Sequence, residues 1–259
     1  MTKPSILVVG VGIVGTNVAR RLLPEPLTTE GCVSVYVYDK YKENFKEKED
    51  KHYDLAFICV DTPYTEDNPC DITEVRNALM ENDAELFVIK STILPGTTEQ
   101  LRRETGKHIV FSPEYYGSTQ HCNNSTFNFT ILGGFKTDCI KAIQILQQVY
   151  DASHQFRITD AKTAELVKYM ENSYLAMKVS FCNQFFDIAE HAGVNYEELR
   201  ELFILDPRVN PSHTFVYRDK PYWDSHCLNK DVPAIAEEYD AKLLKSLIDY
   251  NNSKKHNES

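Results

Sequence analysis

No two of the seven cysteines form a Cys-x-x-Cys pair. Cys32, Cys59, Cys70, Cys122, Cys139, Cys182 and Cys227 are scattered and odd in number. A disulfide framework or a zinc knuckle needs clustered spacing, so reduced thiols in a cytoplasmic setting and no metal site are expected. No apolar run is long enough for a bilayer. The longest, Ile6 to Gly15, is broken by three glycines and followed by Arg20 and Arg21, well short of the roughly 20 residues a spanning helix needs. It reads as a strand and a turn, not a signal peptide, and no membrane partner is expected. Glycine (10) and proline (11) are sparse in 259 residues, and no repeat or low-complexity tract appears, which excludes collagen-like and disordered chains. Basic residues are outnumbered, 28 against 38 acidic, for a net charge of -10. Such a chain lacks the basic face of a non-specific nucleic-acid binder. The acceptor patterns at Asn124, Asn128 and Asn251 carry no meaning without a secretory route.

What is present is alternation. Ser5 to Val9 reads as a buried strand, followed by a glycine turn and a helix from Ile13 to Leu23. Val33–Tyr38, Leu55–Val60, Leu86–Lys90, His108–Phe111 and Phe129–Leu132 read as further strands, with helices at Ile72–Met80, Thr98–Arg103 and Asp138–Tyr150. Strands alternating with helices predict an α/β fold with a mostly parallel sheet. From Ala161 to Ala192 there is no Gly or Pro. The spacing predicts one long helix, with Asp160 as its N-cap and Gly193 as its stop, in need of a partner to cover it. Tyr196–Leu205 and Asp231–Asn251 are expected to be helical. Two domains follow: a Rossmann-type dinucleotide-binding domain over 1–155 and a helical domain over 156–259.

Gly10-Val11-Gly12-Ile13-Val14-Gly15 follows a strand and opens a helix. The first glycine permits a tight turn, the second lets backbone approach a pyrophosphate, and the third allows close helix–strand packing. Asp39 ends the second strand 24 residues after Gly15, where an acid binds the ribose hydroxyls of NAD. A 2′-phosphate would meet repulsion from Asp39, though Lys40 beside it leaves NADP open. Lys168 and Asn172 lie four apart on the long helix and share a face, a spacing that by itself more often marks a solvated surface pair. Cys227 and Asp231 have the same spacing, flanked by His226 and Lys230, and nearby cations favour a reactive thiolate. Glu114 follows a strand end, where open α/β sheets place ligands. These residues together point to oxidoreductase chemistry.

Several stretches then resemble one family. Val9–Gly15, Cys59-Val-Asp-Thr62-Pro63, Ile89-Lys-Ser-Thr92-Ile-Leu-Pro-Gly-Thr97, Phe111-Ser-Pro-Glu114-Tyr115 and Ile131–Gly134 are similar to the nucleotide-binding half of UDP-glucose/GDP-mannose dehydrogenases. Ala164–Lys178 resembles the family's central helix, Asp206-Pro-Arg208 its following loop, and Cys227-Leu-Asn-Lys230-Asp231 the segment bearing its catalytic cysteine. The matches keep family order from residue 5 to about residue 251.

The resemblance implies oxidation of a nucleotide-sugar alcohol to a carboxylate with two NAD, UDP-glucose being the first expectation. Cys227 would be the nucleophile. Lys168 and Asn172 would stabilise an oxyanion, Asp231 and Thr92 would hold a water, and Glu114 would assist hydrolysis. Gly10 to Gly15, Asp39, Lys40, Thr62, Pro63, Thr92 and Lys230 would line the cofactor site. Glu114, Lys168, Asn172, Arg208 and Cys227 would meet substrate, with Arg208 reaching that of a neighbouring subunit, and the long helix would be a homodimer seam. Three departures accompany the match. The chain stops at the helix that leads into the family's third domain, which implies a shortened form. Lys220-Pro-Tyr-Trp-Asp-Ser-His226 replaces a glycine-rich approach to the cysteine, and Ser118 replaces an acid. A two-electron β-hydroxyacid dehydrogenase and a non-catalytic NAD-binding dimer are the alternatives.

Overall fold

The computed structural model describes residues 3–23, 32–49, 51–117 and 127–256. Ser118, Cys122 and Asn124 lie outside the described residues. The chain divides into two compact units, Met1–Lys168 and Tyr169–Ser259.

In the first unit, the strands β1 (Ser5–Val9), β2 (Ser34–Tyr38), β3 (Leu55–Ile58), β4 (Phe87–Ile89), β5 (Ile109–Phe111), β6 (Phe129–Gly133) and β7 (Gln155–Thr159) form a seven-stranded sheet in the order β2-β1-β3-β4-β5-β6-β7. Every pairing is parallel except that of β5 with β6. Successive side chains of a strand point to opposite faces, and the sequence fills both. Ile6, Val8, Leu55 and Phe57 pack with Val18 and Leu22 of α1 (Ile13–Leu22) and with Ala142 and Leu146 of α4 (Lys136–Leu146). Leu7, Val9, Ala56 and Ile58 pack with Val75 and Leu79 of α2 (Thr73–Met80) and Leu101 of α3 (Thr97–Thr105). This is the doubly wound Rossmann architecture that the apolar strands predict. The strand β7 was not expected. Its residues sit on the sheet edge, three of five exposed, so only Phe156 and Ile158 signal it.

Because the chain leaves β1 for β2 on one side and returns to β3 on the other, the strand order reverses there. A crevice opens beyond the carboxyl ends at that point. Val9, the last residue of β1, lies in register with Tyr38 and Ile58, so Gly10, Asp39 and Cys59 leave the sheet side by side.

The long helix α5 spans Ala161–Ala192 as the sequence predicts. The Asp160 carboxylate accepts Thr163 N–H at 2.8 Å and caps it. Gly193 ends it at φ +69°, with Val194 N–H bonded back to Ala189 C=O.

In the second unit, α6 (Tyr196–Phe203) follows. The single helix expected over Asp231–Asn251 is corrected to two, α7 (His226–Glu238) and α8 (Lys242–His256). Asp240 adopts φ +46°, and Ala241 N–H reaches Ala236 C=O at 2.9 Å. That is a left-handed helix stop made by Asp instead of Gly, so no glycine marks it. The helix α7 also starts earlier than expected, because Ser225 Oγ accepts Leu228 N–H at 3.2 Å. Trp223, Leu228 and Val232 bury themselves against Ala176 of α5. Among the described residues, no helix is long and apolar enough to cross a membrane.

Candidate functional site

The glycine turn is built by contact distances that leave no room for a side chain. Gly10 takes φ +90°, and a Cβ there would sit 2.6 Å from the Cys59 carbonyl oxygen. A Cβ on Gly15 would lie 1.8 Å from the Gly10 carbonyl oxygen. Gly12, the N-cap of α1, has nothing within 4 Å of its Cβ position. Gly10 and Gly15 therefore serve the fold, and Gly12 keeps space open in front of a helix N-terminus. Val11, Ile13 and Val14 complete the turn and the first turn of α1.

Asp39 closes the turn from the side. Its Oδ2 accepts Val11 N–H at 2.9 Å and its Oδ1 accepts Tyr41 N–H at 3.0 Å. Each carboxylate oxygen keeps a second lone pair for a ribose hydroxyl. Lys42 Nζ donates to the Val11 carbonyl at 2.5 Å, and Lys40 Nζ pairs with Glu74 of α2 at 2.6 Å. A cavity of about 300 Å³ follows, lined among others by Gly10, Gly12, Asp39, Lys40, Asp61 and Glu74. It sits at the switch point between β1 and β3, as the topology requires. An adenosine diphosphate moiety fits: open backbone at a helix N-terminus for phosphate, an acid for ribose, and an enclosed space beside them.

On the far side of β3, Thr62 Oγ1 donates to the Thr92 carbonyl at 2.7 Å, and both threonines are buried. Pro63 accepts Asp71 N–H through its carbonyl at 3.0 Å. Glu114 lies past the end of β5, where its Oε2 accepts Tyr116 N–H at 2.7 Å. Lys168 Nζ stands 4.0 Å from Glu114 Oε1, each side chain 5% exposed, and 5.5 Å from the centre of the Tyr115 ring. Burying a carboxylate and an ammonium is costly unless they answer each other.

The first unit also holds a group that the sequence reading passed over. Lys90, at the end of β4, donates to Ser112 Oγ at 2.9 Å and the Pro113 carbonyl at 3.4 Å. Burial pushes its ammonium down to about 8, against the pull of Cys59 and Glu114. The Cys59 thiol is itself pushed up to about 12 by burial. A lysine closing the apolar run Phe87-Val-Ile89 was the available signal.

In the second unit, Asp231 is 2% exposed and accepts Asn172 Nδ2 at 2.5 Å and Lys230 Nζ at 2.6 Å. Cys227 occupies the first turn of α7, one turn before Asp231. The segment before it is strapped to α8. The Asn251 side chain accepts Trp223 N–H at 2.9 Å and donates to its carbonyl at 3.0 Å. Asp224 takes Asn229, Lys220 and Lys255, which hold its carboxyl below the usual range. Trp223 Nε1 donates to Ser180 Oγ at 3.1 Å, so this bulky residue turns into the helical core. Arg208 is exposed and paired with Asp206 at 2.6 Å. Glu114 and Lys168 thus come together in the first unit, and Asn172, Lys230 and Asp231 in the second.

Two family models match the chain. Residues 29–154 match the NAD binding domain of the UDP-glucose/GDP-mannose dehydrogenase family, and residues 162–253 match its central domain. The UDP-N-acetyl-D-mannosamine dehydrogenase of Methanocaldococcus jannaschii is 32% identical over 216 residues, covering 77% of this chain and 48% of the relative. The UDP-glucose 6-dehydrogenase of Rickettsia prowazekii is 27% identical over 231 residues, covering 83% and 52%. The chain thus spans about half the length of the curated relatives it matches. A solved UDP-glucose dehydrogenase from Pyrobaculum islandicum shares the fold with a TM-score of 0.78 at 21% identity, covering 97% of this chain and 68% of that one.

Proposed function

The chain belongs to the UDP-glucose/GDP-mannose dehydrogenase family, and from that premise we propose that it oxidises the primary alcohol of a nucleotide sugar to a carboxylate, with UDP-glucose as the first candidate. NAD is the cofactor of this family's first domain; Gly12 and Asp39 would hold it, and when bound it would supply the hydride acceptor for each of two oxidations. Everything else falls to side chains. Cys227 adds its sulfur to the aldehyde left by the first oxidation and gives a thiohemiacetal. The second oxidation turns that adduct into a thioester, and water cleaves it to the acid and the free thiol. Placement in the first turn of α7 favours negative charge on the sulfur.

The observation that carries this reading is the buried Asn172–Asp231–Lys230 network one helical turn beyond Cys227. It fixes the helix face bearing the thiol and holds a carboxylate able to accept a proton from water. Lys168 and Asn172 stabilise the oxyanion as donors that are already oriented. Glu114, oriented by Tyr116 N–H, assists hydrolysis. Thr92, positioned beside Thr62, helps to hold the water. Arg208, exposed, reaches the substrate of a second copy. An exposed apolar stripe on α5, formed by Met170, Tyr174, Phe181, Phe185 and Ile188, supports a homodimer seam.

The test is NADH released per nucleotide sugar with NAD in excess, across UDP-glucose, UDP-N-acetylmannosamine and GDP-mannose. Two NADH per sugar with the uronate recovered, lost in Cys227→Ser while NAD still binds, is the expected result. One NADH per sugar, indifferent to that substitution, would indicate two-electron chemistry. NAD binding without turnover on the whole panel would leave the non-catalytic dimer.

A further inference from the structure

The cavity at the β1–β3 switch point carries two lysines, and both are occupied by the protein itself. Lys42 Nζ is spent on the Val11 carbonyl at 2.5 Å. Lys40 Nζ is spent on Glu74 at 2.6 Å, with the pair about 30% exposed. Glu74 raises the pKa of Lys40 above its ordinary value through that contact, so the lysine meets the carboxylate as an ammonium. Carboxylates dominate the rest of the lining, where Asp39, Asp61, Glu74 and Glu81 oppose only these two cations.

Position gives the pair its meaning. The acid ending the second strand of such a fold takes the ribose 2′-hydroxyl, and a cation beside it is what accepts a 2′-phosphate. Asp39 is that acid and Lys40 is the adjoining cation. A phosphate added at the 2′ position would need Lys40, and Lys40 is held from the opposite wall of the cavity. Glu74 sits in the first turn of α2, where the helix N-terminus favours its negative charge and Asn77 Nδ2 donates to it at 3.4 Å.

We propose that Glu74 is a specificity-determining residue: by engaging Lys40 it makes the cavity selective for a dinucleotide with a free 2′-hydroxyl. The selectivity is double. Glu74 engages the cation beside Asp39 that would receive a 2′-phosphate, and it presents a carboxylate that repels one. The notion that Lys40 leaves a 2′-phosphate open is thereby resolved in favour of exclusion, through a residue 34 positions downstream. This inference rests on the reading that NAD occupies this cavity, and it goes beyond that reading by naming what rejects the phosphorylated cofactor.

The experiment measures the dissociation constants of NAD and NADP by calorimetry on the full chain, for the wild type, Glu74→Gln and the double variant Glu74→Gln/Lys40→Met. Glutamine keeps the size of Glu74 and removes its charge. The expected result is a fall of roughly tenfold or more in the ratio of NADP to NAD dissociation constants in Glu74→Gln, reversed in the double variant. The gain should also shrink with added salt, since it comes from a charge contact. An unchanged ratio in Glu74→Gln, with NAD still bound by the wild type, overturns the role of Glu74 alone. A wild type that binds neither dinucleotide overturns the cofactor reading and this inference with it. A gain that survives loss of Lys40 shows that Glu74 acts by repulsion only and overturns the pairing.

Discussion

Asp231 accepts the Asn172 side-chain amide at 2.5 Å, and the same carboxylate takes Lys230 Nζ at 2.6 Å. The first contact joins α7 to α5 in a place where both partners are buried. A carboxylate serving two donors is harder to replace than either donor. Asp231→Ala removes an acceptor from the buried Asn172 amide and from the Lys230 ammonium at once, each loss costing about 1–3 kcal/mol. Asn172→Ala leaves the carboxylate with its lysine. Asp231→Ala is therefore expected to lower the urea midpoint about twice as much as Asn172→Ala, with m unchanged. Equal losses would show that Lys230 adds nothing to the pair.

The glycines of the turn are predicted to separate fold from ligand. Gly15→Ala places a methyl 1.8 Å from the Gly10 carbonyl oxygen, a clash with backbone that cannot relax locally. It is expected to cost about 4 kcal/mol or more and to leave little folded protein. Gly12→Ala meets nothing within 4 Å, so the fold by circular dichroism should be kept, with only the loss of about 1 kcal/mol that alanine brings at an N-cap. Its NAD affinity should nevertheless drop roughly tenfold or more, since the methyl fills the space where a pyrophosphate approaches α1. A Gly12→Ala variant with undiminished NAD binding would place the cofactor elsewhere.

Glu165, on the first part of α5, reaches across to the N-terminus of α3. Its carboxylate accepts Gly96 N–H at 2.5 Å and Thr98 N–H at 2.8 Å, taking two of the amides that a helix start leaves unpaired. Desolvation is the largest influence on it and raises its pKa above 4.5, against the lowering by those donors. Between the unfolded and the raised folded pKa, the native state holds a proton that the unfolded chain has lost. Stability should therefore fall as pH rises through that window. Glu165→Gln should abolish this slope at a cost of about 1 kcal/mol, and Glu165→Ala should cost about 3 kcal/mol by orphaning both amides. A wild-type slope of the opposite sign just above pH 4.5, absent in the glutamine variant, would refute the assignment.

The sheet and the long helix were legible because their signals are local. Continuous apolar runs mark β1 and β3, and a stretch of 32 residues without Gly or Pro marks α5. Element ends were less legible where an unusual residue made the stop, as Asp240 does. The glycine turn and Asp39 could be read because spacing alone constrains them. Glu74, Glu165, Lys90 and Asn251 could not, since each acts on a partner 22 to 69 positions away and carries no spacing rule of its own. Trp223, in the stretch that replaces a glycine-rich approach to the cysteine, proves to be a core residue hydrogen-bonded to Ser180, a fate that only tertiary packing decides.

Lys90 offers the sharpest pH experiment. Its ammonium is half-buried just past the end of β4, and desolvation brings its pKa from 10.5 down to about 8. Between those values the unfolded chain binds a proton that the native state does not, so the lysine contributes a stability that rises with pH across the window. Below about pH 8 both states are protonated, and the native state carries the full penalty of a buried charge. That penalty corresponds to about 3 kcal/mol for a shift of this size. Cys59 works in the opposite direction, because its thiol, pushed up to about 12, stays protonated when the unfolded thiol ionises. The two effects overlap above pH 9, which makes the raw pH profile of the wild type uninformative. The difference between wild type and Lys90→Met isolates the lysine. At pH 7 the methionine removes the buried charge but also the donors to Ser112 and Pro113, so a net gain of about 1–2 kcal/mol is expected. By pH 10 the native lysine is already neutral and the gain should vanish or reverse. A stability difference that stays constant from pH 7 to pH 10 would mean that Lys90 keeps its ordinary pKa inside the fold, and that water or the Glu114 carboxylate compensates its burial.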